Sequence, residues 1–184
     1  MDPNIIGLDT YGTAATYQGA DGSQISWANQ GDGIRVDGNA RDVRISGNLD
    51  SVIPQNTISN NNGYGIRLAD QASGILIGNA YLGLSSTGLA TFGNQLGGLF
   101  AGAGVRGLQI GSEAASDLPN KIVGNGGNGI SLLSPVGAKI LNSKLLNNTG
   151  SGLSINGGNS NTVAGNQADS NGAYGFTITA STNS

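Results

Sequence analysis

Carboxylate and guanidinium side chains are the groups in this sequence best suited to chemistry, and they gather in its first half. Asp32, Asp37, Asp42 and Asp50 lie close together in the sequence, and Asp70 follows 20 residues later. Two carboxylates facing each other about 5–10 Å apart could hydrolyse a glycosidic bond. Arg35 and Arg67 could instead hold the carboxylate of an acidic sugar, with Asp37 beside them. Either chemistry requires a fold that brings these side chains to one surface.

Missing residue types exclude several other chemistries. The 184 residues contain neither Cys nor His, which excludes disulfides, thiolate nucleophiles, Ser-His-Asp triads and His-ligated metals. Eight Lys and Arg against eleven Asp and Glu give a net charge of −3, which disfavours nucleic-acid binding. Since no apolar run approaches the roughly 18 residues needed to cross a bilayer, we expect no membrane span. We also expect no cofactor and no metal ion.

A short recurring motif identifies the elements that must position the charged side chains. In each copy an Asn stands four residues before a Gly, which is followed by an apolar residue, a variable residue and usually a second apolar residue. The asparagines are Asn29, Asn61, Asn94, Asn125, Asn148 and Asn171, and the glycines are Gly33, Gly65, Gly98, Gly129, Gly152 and Gly175. With Asn at about one position in eight, this agreement has a chance probability on the order of 10⁻⁶. The motif therefore marks a repeated structural unit.

The spacing of the motif divides a single domain, residues 1–184, into two parts. Successive glycines lie 32, 33, 31, 23 and 23 residues apart, so residues 1–128 hold long coils and residues 129–184 hold compact 23-residue coils. In the long coils we expect a polar excursion after the second strand and before the next Asn. The segment 7–14 resembles the segment 83–90, which indicates that the N-terminal segment is another copy of a long coil.

Runs of three to five residues with alternating apolar side chains, separated by Gly and Asn, predict short strands. A 23-residue unit with three such strands cannot bury its apolar side chains alone, but stacked units can. The predicted fold is all-β, a right-handed parallel β-helix of about six to seven coils with three short strands per coil. The first strand of each coil should point one side chain outward: Arg35, Arg67, Phe100, Ser131, Ser154 and Thr177. The six motif asparagines should form a buried structural ladder of side-chain amides, at turns with left-handed backbone angles.

Several segments resemble a known family. Residues 79–88, Gly93-Asn94, Ile110-Gly111 and residues 120–125 are similar to the parabetahelix repeats of very large bacterial secreted and cell-surface proteins. The resemblance covers nearly the whole chain and places it in the pectate-lyase-like superfold. That superfold also includes polygalacturonases, alginate epimerases, adhesins and phage tailspikes, so the resemblance implies a fold more narrowly than a function.

The expected function is a non-catalytic structural or adhesive β-helix module of a bacterial extracellular or cell-surface protein. Its expected partners are other copies of itself, stacked end to end, neighbouring repeats of a longer chain, or a surface polysaccharide. The alternative is a carbohydrate-binding or polysaccharide-processing β-helix, lyase-like or epimerase-like, that acts on acidic glycans. Arg35, Arg67 and Asp37 are the candidate glycan contacts. The competing interpretation, which we favour, is that the arginine stems cover the sheet and their heads pair with nearby aspartates.

Two further patterns have a structural interpretation. The stretch Gly31–Gly38 resembles one turn of a calcium-binding repeat, but it occurs once, which excludes a repeating calcium site and leaves a single site open. Trp27, Tyr64 and Tyr174 could stack on sugar rings, and we expect them instead to cover a corner or an end of the solenoid.

Overall fold

The computed structural model describes residues 4–46, 55–114 and 117–179, and in these ranges all regular structure is β. None of these ranges contains a helix that is long and apolar enough to cross a membrane. The described strands, in chain order, are β1 Ile5–Ile6, β2 Thr16–Gln18, β3 Gln24–Ser26, β4 Ile34–Val36, β5 Arg44–Ser46, β6 Asn56–Ile58, β7 Tyr64–Leu68, β8 Leu76–Gly78, β9 Ala80–Leu82, β10 Gly97–Ala101, β11 Gln109–Ile110, β12 Lys121–Val123, β13 Asn128–Leu133, β14 Lys139–Leu141, β15 Lys144–Leu146, β16 Leu153–Asn156, β17 Thr162–Ala164, β18 Gln167–Asp169 and β19 Phe176–Thr179.

Three long parallel sheets run along the solenoid, one for each strand of a coil. Sheet 1 contains β4, β7, β10, β13, β16 and β19 in that spatial order. Sheet 2 contains β5, β8, β11, β14 and β17, and sheet 3 contains β1, β6, β9, β12, β15 and β18. Each strand therefore pairs with the strand one coil before it and the strand one coil after it. This arrangement confirms the predicted parallel β-helix.

The register of sheet 1 follows the Asn–Gly motif. Ile34 pairs with Ile66, Ile66 with Leu99, Leu99 with Ile130 and Ile130 with Leu153. Of these, Ile66, Leu99, Ile130 and Leu153 are fully buried. Full burial of one such side chain stabilises the fold by about 1.5–3 kcal/mol. Because strand side chains alternate between faces, the residue after each of these points out of the solenoid.

The excursions of the long coils do not all lie where the sequence suggested. Between β11 and β12 the excursion follows the second strand, as expected. In the preceding coil, β9 begins only two residues after β8 ends, and the excursion, residues 83–93, follows the third strand. Ala80, Tyr81 and Leu82 are all buried, so β9 packs into the solenoid before the chain leaves it.

The internal resemblance between residues 7–14 and 83–90 is a resemblance of loop geometry. In the first loop the Asp9 carboxylate accepts hydrogen bonds from the main-chain N–H groups of Thr13 and Ala14, at 2.6 and 2.9 Å. In the second loop the hydroxyl of Ser85, 76 residues later, accepts the equivalent bonds from residues 89 and 90. The loops also touch, since the main-chain N–H of Ser86 donates to the carbonyl of Gly12 at 2.8 Å.

A feature that the repeat analysis did not predict is the antiparallel hairpin formed by β2 and β3. Its turn contains Asp21-Gly22, a common hairpin-turn pair, and Gly22 has a φ of 83°. Tyr17 and Trp27 stack on one side of the hairpin with ring centroids 4.8 Å apart, and both rings stay substantially exposed. The N-terminal segment therefore copies the loop of a long coil but replaces part of that coil with a hairpin.

Candidate functional site

The six motif asparagines lie in one continuous row along the corner between sheets 3 and 1, here called the asparagine row. Each side-chain Nδ2 donates to the Oδ1 of the asparagine in the next coil. The five Nδ2–Oδ1 distances, from Asn29–Asn61 to Asn148–Asn171, are 2.8, 2.7, 3.0, 3.0 and 3.1 Å. The row thus runs the length of the described solenoid and always points its donors toward the next coil.

Asn125 illustrates the hydrogen bonds that an inner member of the row forms through its side-chain amide. Its Oδ1 accepts from both the main-chain N and the Nδ2 of Asn94, at 3.0 Å each. Its Nδ2 donates to Asn148 Oδ1 at 3.0 Å and to the Leu82 carbonyl at 3.1 Å. Only an amide offers two donors and a double acceptor on one side chain, so aspartate or serine could not replace it without leaving a buried group unpaired.

The structure refines two expectations about the asparagine row. Its four inner members, Asn61, Asn94, Asn125 and Asn148, are buried, whereas Asn29 at one end is exposed and Asn171 at the other is half-buried. In four of the six coils a left-handed backbone belongs to the residue before the row asparagine: Asn60, Gly124, Asn147 and Ser170 have φ values of 58°, 67°, 53° and 54°. The residues before Asn29 and Asn94 do not have positive φ, and neither does any row asparagine. The row therefore depends on the side chains of its asparagines and not on their backbone conformation.

The motif glycines are needed because the next coil packs closely against them, and not because they adopt positive φ. A Cβ on Gly129 would lie 2.6 Å from the carbonyl oxygen of Gly152 and 2.9 Å from Asn148 Nδ2. Gly65 and Gly152 are in the same position relative to the following coil. Each glycine thus leaves room for the asparagine of the next coil, which explains why Asn and Gly recur together.

Further amide groups that bond between coils, which the motif search missed, lie at the corner that precedes sheet 3; Asn56 and Asn120 are buried and Asn166 is half-buried. Asn120 Oδ1 accepts from the main-chain N of Ala80 at 2.9 Å, and Asn166 Oδ1 accepts from that of Ser143 at 2.9 Å. Asn56 accepts from Asn4 in the same way. The available signal was an Asn at the start of the third strand of a coil, as at Asn56, Asn120 and Asn166. Ala80 and Ser143 occupy the equivalent position in two other coils, so the signal is not continuous.

The arginines form a second candidate site on the outer face of sheet 1, here called the Arg–aromatic patch and made of Arg35, Asp37, Tyr64, Arg67 and Phe100. Arg35 and Arg67 are register partners on adjacent strands. Arg35 Nε donates to Asp37 Oδ2 at 2.7 Å, and this bond together with the charge of Asp37 raises the pKa of Arg35. Both side chains are about half exposed, so the pair contributes little to stability.

Arg67 has a different environment from Arg35. Its guanidinium carbon lies 5.5 Å from the centroid of the Phe100 ring, and Phe100 in turn stacks on Tyr64 at 5.1 Å. Arg67 Nε is shielded from solvent and has no hydrogen-bond partner among the described residues. The patch therefore presents a stacked pair of aromatic rings next to a guanidinium whose charge is not matched by an ion pair.

Several carboxylates in the described ranges hold turns or pair with neighbouring side chains. Asp32 accepts from the main-chain N of Tyr64 at 2.8 Å, and Asp70 accepts from that of Gly38 at 2.9 Å. Asp50 lies outside the described residues. No group of three or more Asp and Glu side chains in the described ranges could hold a metal ion.

Three carboxyl groups have pKa values below the ordinary value, each because of local donors. At Asp9 partial desolvation acts to raise the pKa, but hydrogen bonds from Ala14, Thr13 and Gly12 outweigh it. The hydroxyl and main-chain N–H of Ser23 lower the pKa of Asp21. The Lys139 ammonium lowers the pKa of Glu113 through a 2.6 Å ion pair. These groups stay ionised at neutral pH, which is the reverse of the raised pKa that a general acid needs.

Comparison with known proteins supports the fold seen here. The family described as the right-handed beta helix region matches residues 55–184. No curated protein and no solved structure matches the chain. The match covers more than half of the sequence and includes five of the six row asparagines. The chain therefore belongs to the right-handed β-helix family.

Proposed function

We propose that the chain is a non-catalytic structural or adhesive module of an extracellular or cell-surface protein. The observation that carries the proposal is the asparagine row, whose Nδ2–Oδ1 bonds join successive coils. A catalytic site needs polar groups aimed at a substrate, whereas these groups are aimed at neighbouring coils. The product of this arrangement is a stiff rod with an outer surface available for contact.

The carboxylates support a non-catalytic role. In the described ranges, seven of them accept hydrogen bonds or ion pairs from turns and neighbouring side chains: Asp9, Asp21, Asp32, Asp37, Asp70, Glu113 and Asp169. A glycosidase needs one carboxyl group with a raised pKa and a second at a set distance from it. The lowered pKa values instead favour turn stabilisation by Asp9 and Asp21 and an ion pair of Glu113 with Lys139.

The location outside the cell is proposed from the resemblance of the repeats to those of large bacterial secreted and cell-surface proteins. The physical features are compatible with that environment. The chain has no cysteine to oxidise, and the loops of residues 7–14 and 83–90 are held by hydrogen bonds to Asp9 and Ser85. Well-tied loops offer few sites for proteolysis.

The test combines an activity assay with a location assay. Incubated with a panel of uronate polymers, the chain should release neither unsaturated sugars, measured by ultraviolet absorbance, nor new reducing ends. An antibody against the chain should label intact producing cells, and external protease should remove the label. Product release that depends on the chain would contradict the non-catalytic role, and a signal found only after cell lysis would contradict the location.

A second candidate function, binding of an acidic glycan, is favoured by the Arg–aromatic patch. Sugar rings stack on aromatic side chains, and a uronate carboxylate pairs with a guanidinium. Tyr64 and Phe100 supply adjacent rings, and Arg67 supplies a charge that forms no ion pair within the described ranges. Arg35 and Arg67 are register partners on adjacent strands, so they could bind successive carboxylates of a polymer that runs perpendicular to the strands.

Replacing Arg35 and Arg67 together by alanine should reduce binding to an acidic polysaccharide at least about tenfold, since two charge-assisted contacts are lost. Binding to a glycan array and isothermal titration measure this change. The matched control is the double change Arg44→Ala and Arg106→Ala, which removes the same charge away from the patch and should leave binding unaltered. If wild type binds no acidic polymer, or if both double variants lose affinity equally, glycan recognition by the patch is wrong.

A further inference from the structure

Five asparagines of the chain are followed directly by glycine, the context in which an asparagine side chain is most easily lost by deamidation. Glycine has no Cβ to shield its main-chain nitrogen, so this nitrogen can approach the carboxamide carbon of the preceding side chain. All five pairs lie in the described ranges: Asn62-Gly63, Asn125-Gly126, Asn128-Gly129, Asn156-Gly157 and Asn171-Gly172. Because the local sequence is the same at every pair, any difference in reactivity must come from the fold.

Three of these side chains are held at both ends of the carboxamide by buried or half-buried contacts between or within coils. Asn125 and Asn171 belong to the asparagine row, where each Oδ1 accepts from the preceding row asparagine and each Nδ2 donates to a main-chain carbonyl. Asn128 Oδ1 accepts from the main-chain N of Ser151 at 2.7 Å, and Asn128 Nδ2 donates to Ser131 Oγ at 2.9 Å. None of the three carboxamides can turn toward the following nitrogen without losing these bonds.

Asn62 is held in the same way, although it lies at the surface. Its Oδ1 accepts from Gln95 Nε2 at 3.0 Å, and its Nδ2 donates to Gln30 Oε1 at 3.1 Å. The glutamines belong to the two neighbouring coils, so the carboxamide of Asn62 is fixed from both sides. Four of the five Asn–Gly pairs therefore have a side chain that must break two hydrogen bonds before it can react.

Asn156 is the exception. It is the last residue of β16, and its side chain is exposed and forms no hydrogen bond within the described ranges. It pairs with Leu133 on one side and Thr179 on the other, in a row that points out of the solenoid. Since β16 lies between β13 and β19, the exposure of Asn156 comes from its outward direction and not from an open strand edge.

The attacking nitrogens do not distinguish the five pairs. The Gly157 N–H donates to the Thr179 carbonyl at 2.7 Å, and the other four glycine N–H groups donate to carbonyls of neighbouring coils at 2.8–2.9 Å. One main-chain bond must therefore open at every pair before its nitrogen can attack. The state of the asparagine side chain then decides which pair reacts first.

We propose that the folded chain deamidates at Asn156, while the other four Asn–Gly pairs are protected until the solenoid unfolds. The Gly157 nitrogen forms a bond to Asn156 Cγ, the Cγ–Nδ2 bond breaks, and Nδ2 leaves as ammonia together with the proton of the attacking nitrogen. Water then opens the resulting succinimide at either carbonyl, which gives aspartate or isoaspartate. The inference is independent of the proposed function and adds a modification site on the outer face of sheet 1.

The modification changes both the surface and the main chain. Either product replaces a neutral amide by a carboxylate, which makes the net charge of −3 more negative by one unit. Isoaspartate also moves a side-chain methylene into the main chain, which lengthens the chain by one atom where β16 ends. The modified chain should therefore separate from the original by anion exchange.

Peptide mapping by mass spectrometry, after incubation of the folded chain at mildly alkaline pH, tests the proposal. Asn156 should deamidate at least about tenfold faster than each of the other four, because each of those side chains must first lose two hydrogen bonds. In urea, where the fold is lost, all five pairs should react. Asn156→Gln should abolish the fast reaction of the folded chain, since glutamine must form a larger ring. A folded chain in which Asn156 reacts no faster than Asn125 or Asn62 would overturn the proposal.

The double change Gln30→Ala and Gln95→Ala tests whether side-chain hydrogen bonds provide the protection. It removes both partners of Asn62 and leaves the Asn62-Gly63 pair intact, so Asn62 should become a second fast site. The matched control changes two glutamines of the hairpin, Gln18→Ala and Gln24→Ala, and should leave Asn62 slow. Circular dichroism checks that both double variants stay folded. If Asn62 is equally slow in both, protection by these bonds is wrong.

Discussion

Replacing Asn125 by alanine should lower the free energy of unfolding by about 4 kcal/mol, because it breaks the asparagine row at its centre. The substitution removes the acceptor of the main-chain N and Nδ2 of Asn94. It also removes the donor to the Leu82 carbonyl and to Asn148 Oδ1. All these partner residues are buried, and each buried group left without a partner costs about 1–3 kcal/mol.

Chemical denaturation followed by circular dichroism measures this loss. The matched control is Asn62→Ala, since Asn62 also bonds to both neighbouring coils, through Gln30 and Gln95, but does so at the surface. There water can replace the lost partners, so the control should change stability by less than about 1 kcal/mol. Equal losses for the two variants would show that burial of the row has no energetic consequence.

Gly129→Ala should cost about 3 kcal/mol for a steric reason. The added Cβ would meet two groups that cannot yield, the Gly152 carbonyl at 2.6 Å and Asn148 Nδ2 at 2.9 Å. Adding a methyl group to a filled site typically costs about 1–3 kcal/mol, and here relief would require moving a strand or an amide of the row. Thermal and chemical denaturation measure the effect.

Gly31→Ala is the matched control for this steric argument. A Cβ at Gly31 would have open space around it, and Gly31 is not among the residues with positive φ. The change should therefore be neutral or should stabilise by up to about 1 kcal/mol, through the loss of backbone freedom in the unfolded chain. A Gly129→Ala variant as stable as Gly31→Ala would mean that the glycine of the motif is not required for close packing of coils.

The sequence was sufficient for the fold because a solenoid repeats its constraints. The Asn–Gly offset predicts the register of sheet 1, in which Ile66 pairs with Leu99 and Leu99 with Ile130. In a repeat protein one correct alignment fixes the neighbours of every strand, since each unit contacts only the next. The family match over residues 55–184 supports the same fold.

Other features depend on contacts that a repeat search does not contain. The β2–β3 hairpin breaks the parallel pattern, and its Asp21-Gly22 turn is a local signal that a search for periodic motifs passes over. The position of the excursion after β9 follows from the burial of residues 80–82, which have no polar residue to mark an outer face. The sequence therefore predicts the regular coils better than their interruptions.

In the candidate sites, too, the repeated features could be predicted from the sequence and the individual contacts could not. The asparagine row was visible as a fixed offset, but the left-handed residue beside it was not, because Asn60-Asn61 and Asn147-Asn148 are pairs of identical residues with different roles. The predicted outward row makes Arg67 and Phe100, 33 positions apart, neighbours on adjacent strands, but the stacking of Arg67 on Phe100 depends on side-chain conformations that a repeat pattern does not contain. The prediction that arginine heads pair with aspartates fits Arg35 and does not describe Arg67.

The measurement that tests the central claim most directly is hydrogen exchange of the main-chain N–H groups of the asparagine row in the unmodified chain. Those of Asn94, Asn125 and Asn148 donate to the Oδ1 of the next asparagine at 3.0–3.1 Å. If the row holds the coils together, Asn94 and Asn125 should exchange only through global unfolding, whereas the N–H of Asn171, at the open end, should exchange quickly. Exchange of Asn94 and Asn125 as fast as that of Asn171 would contradict the account.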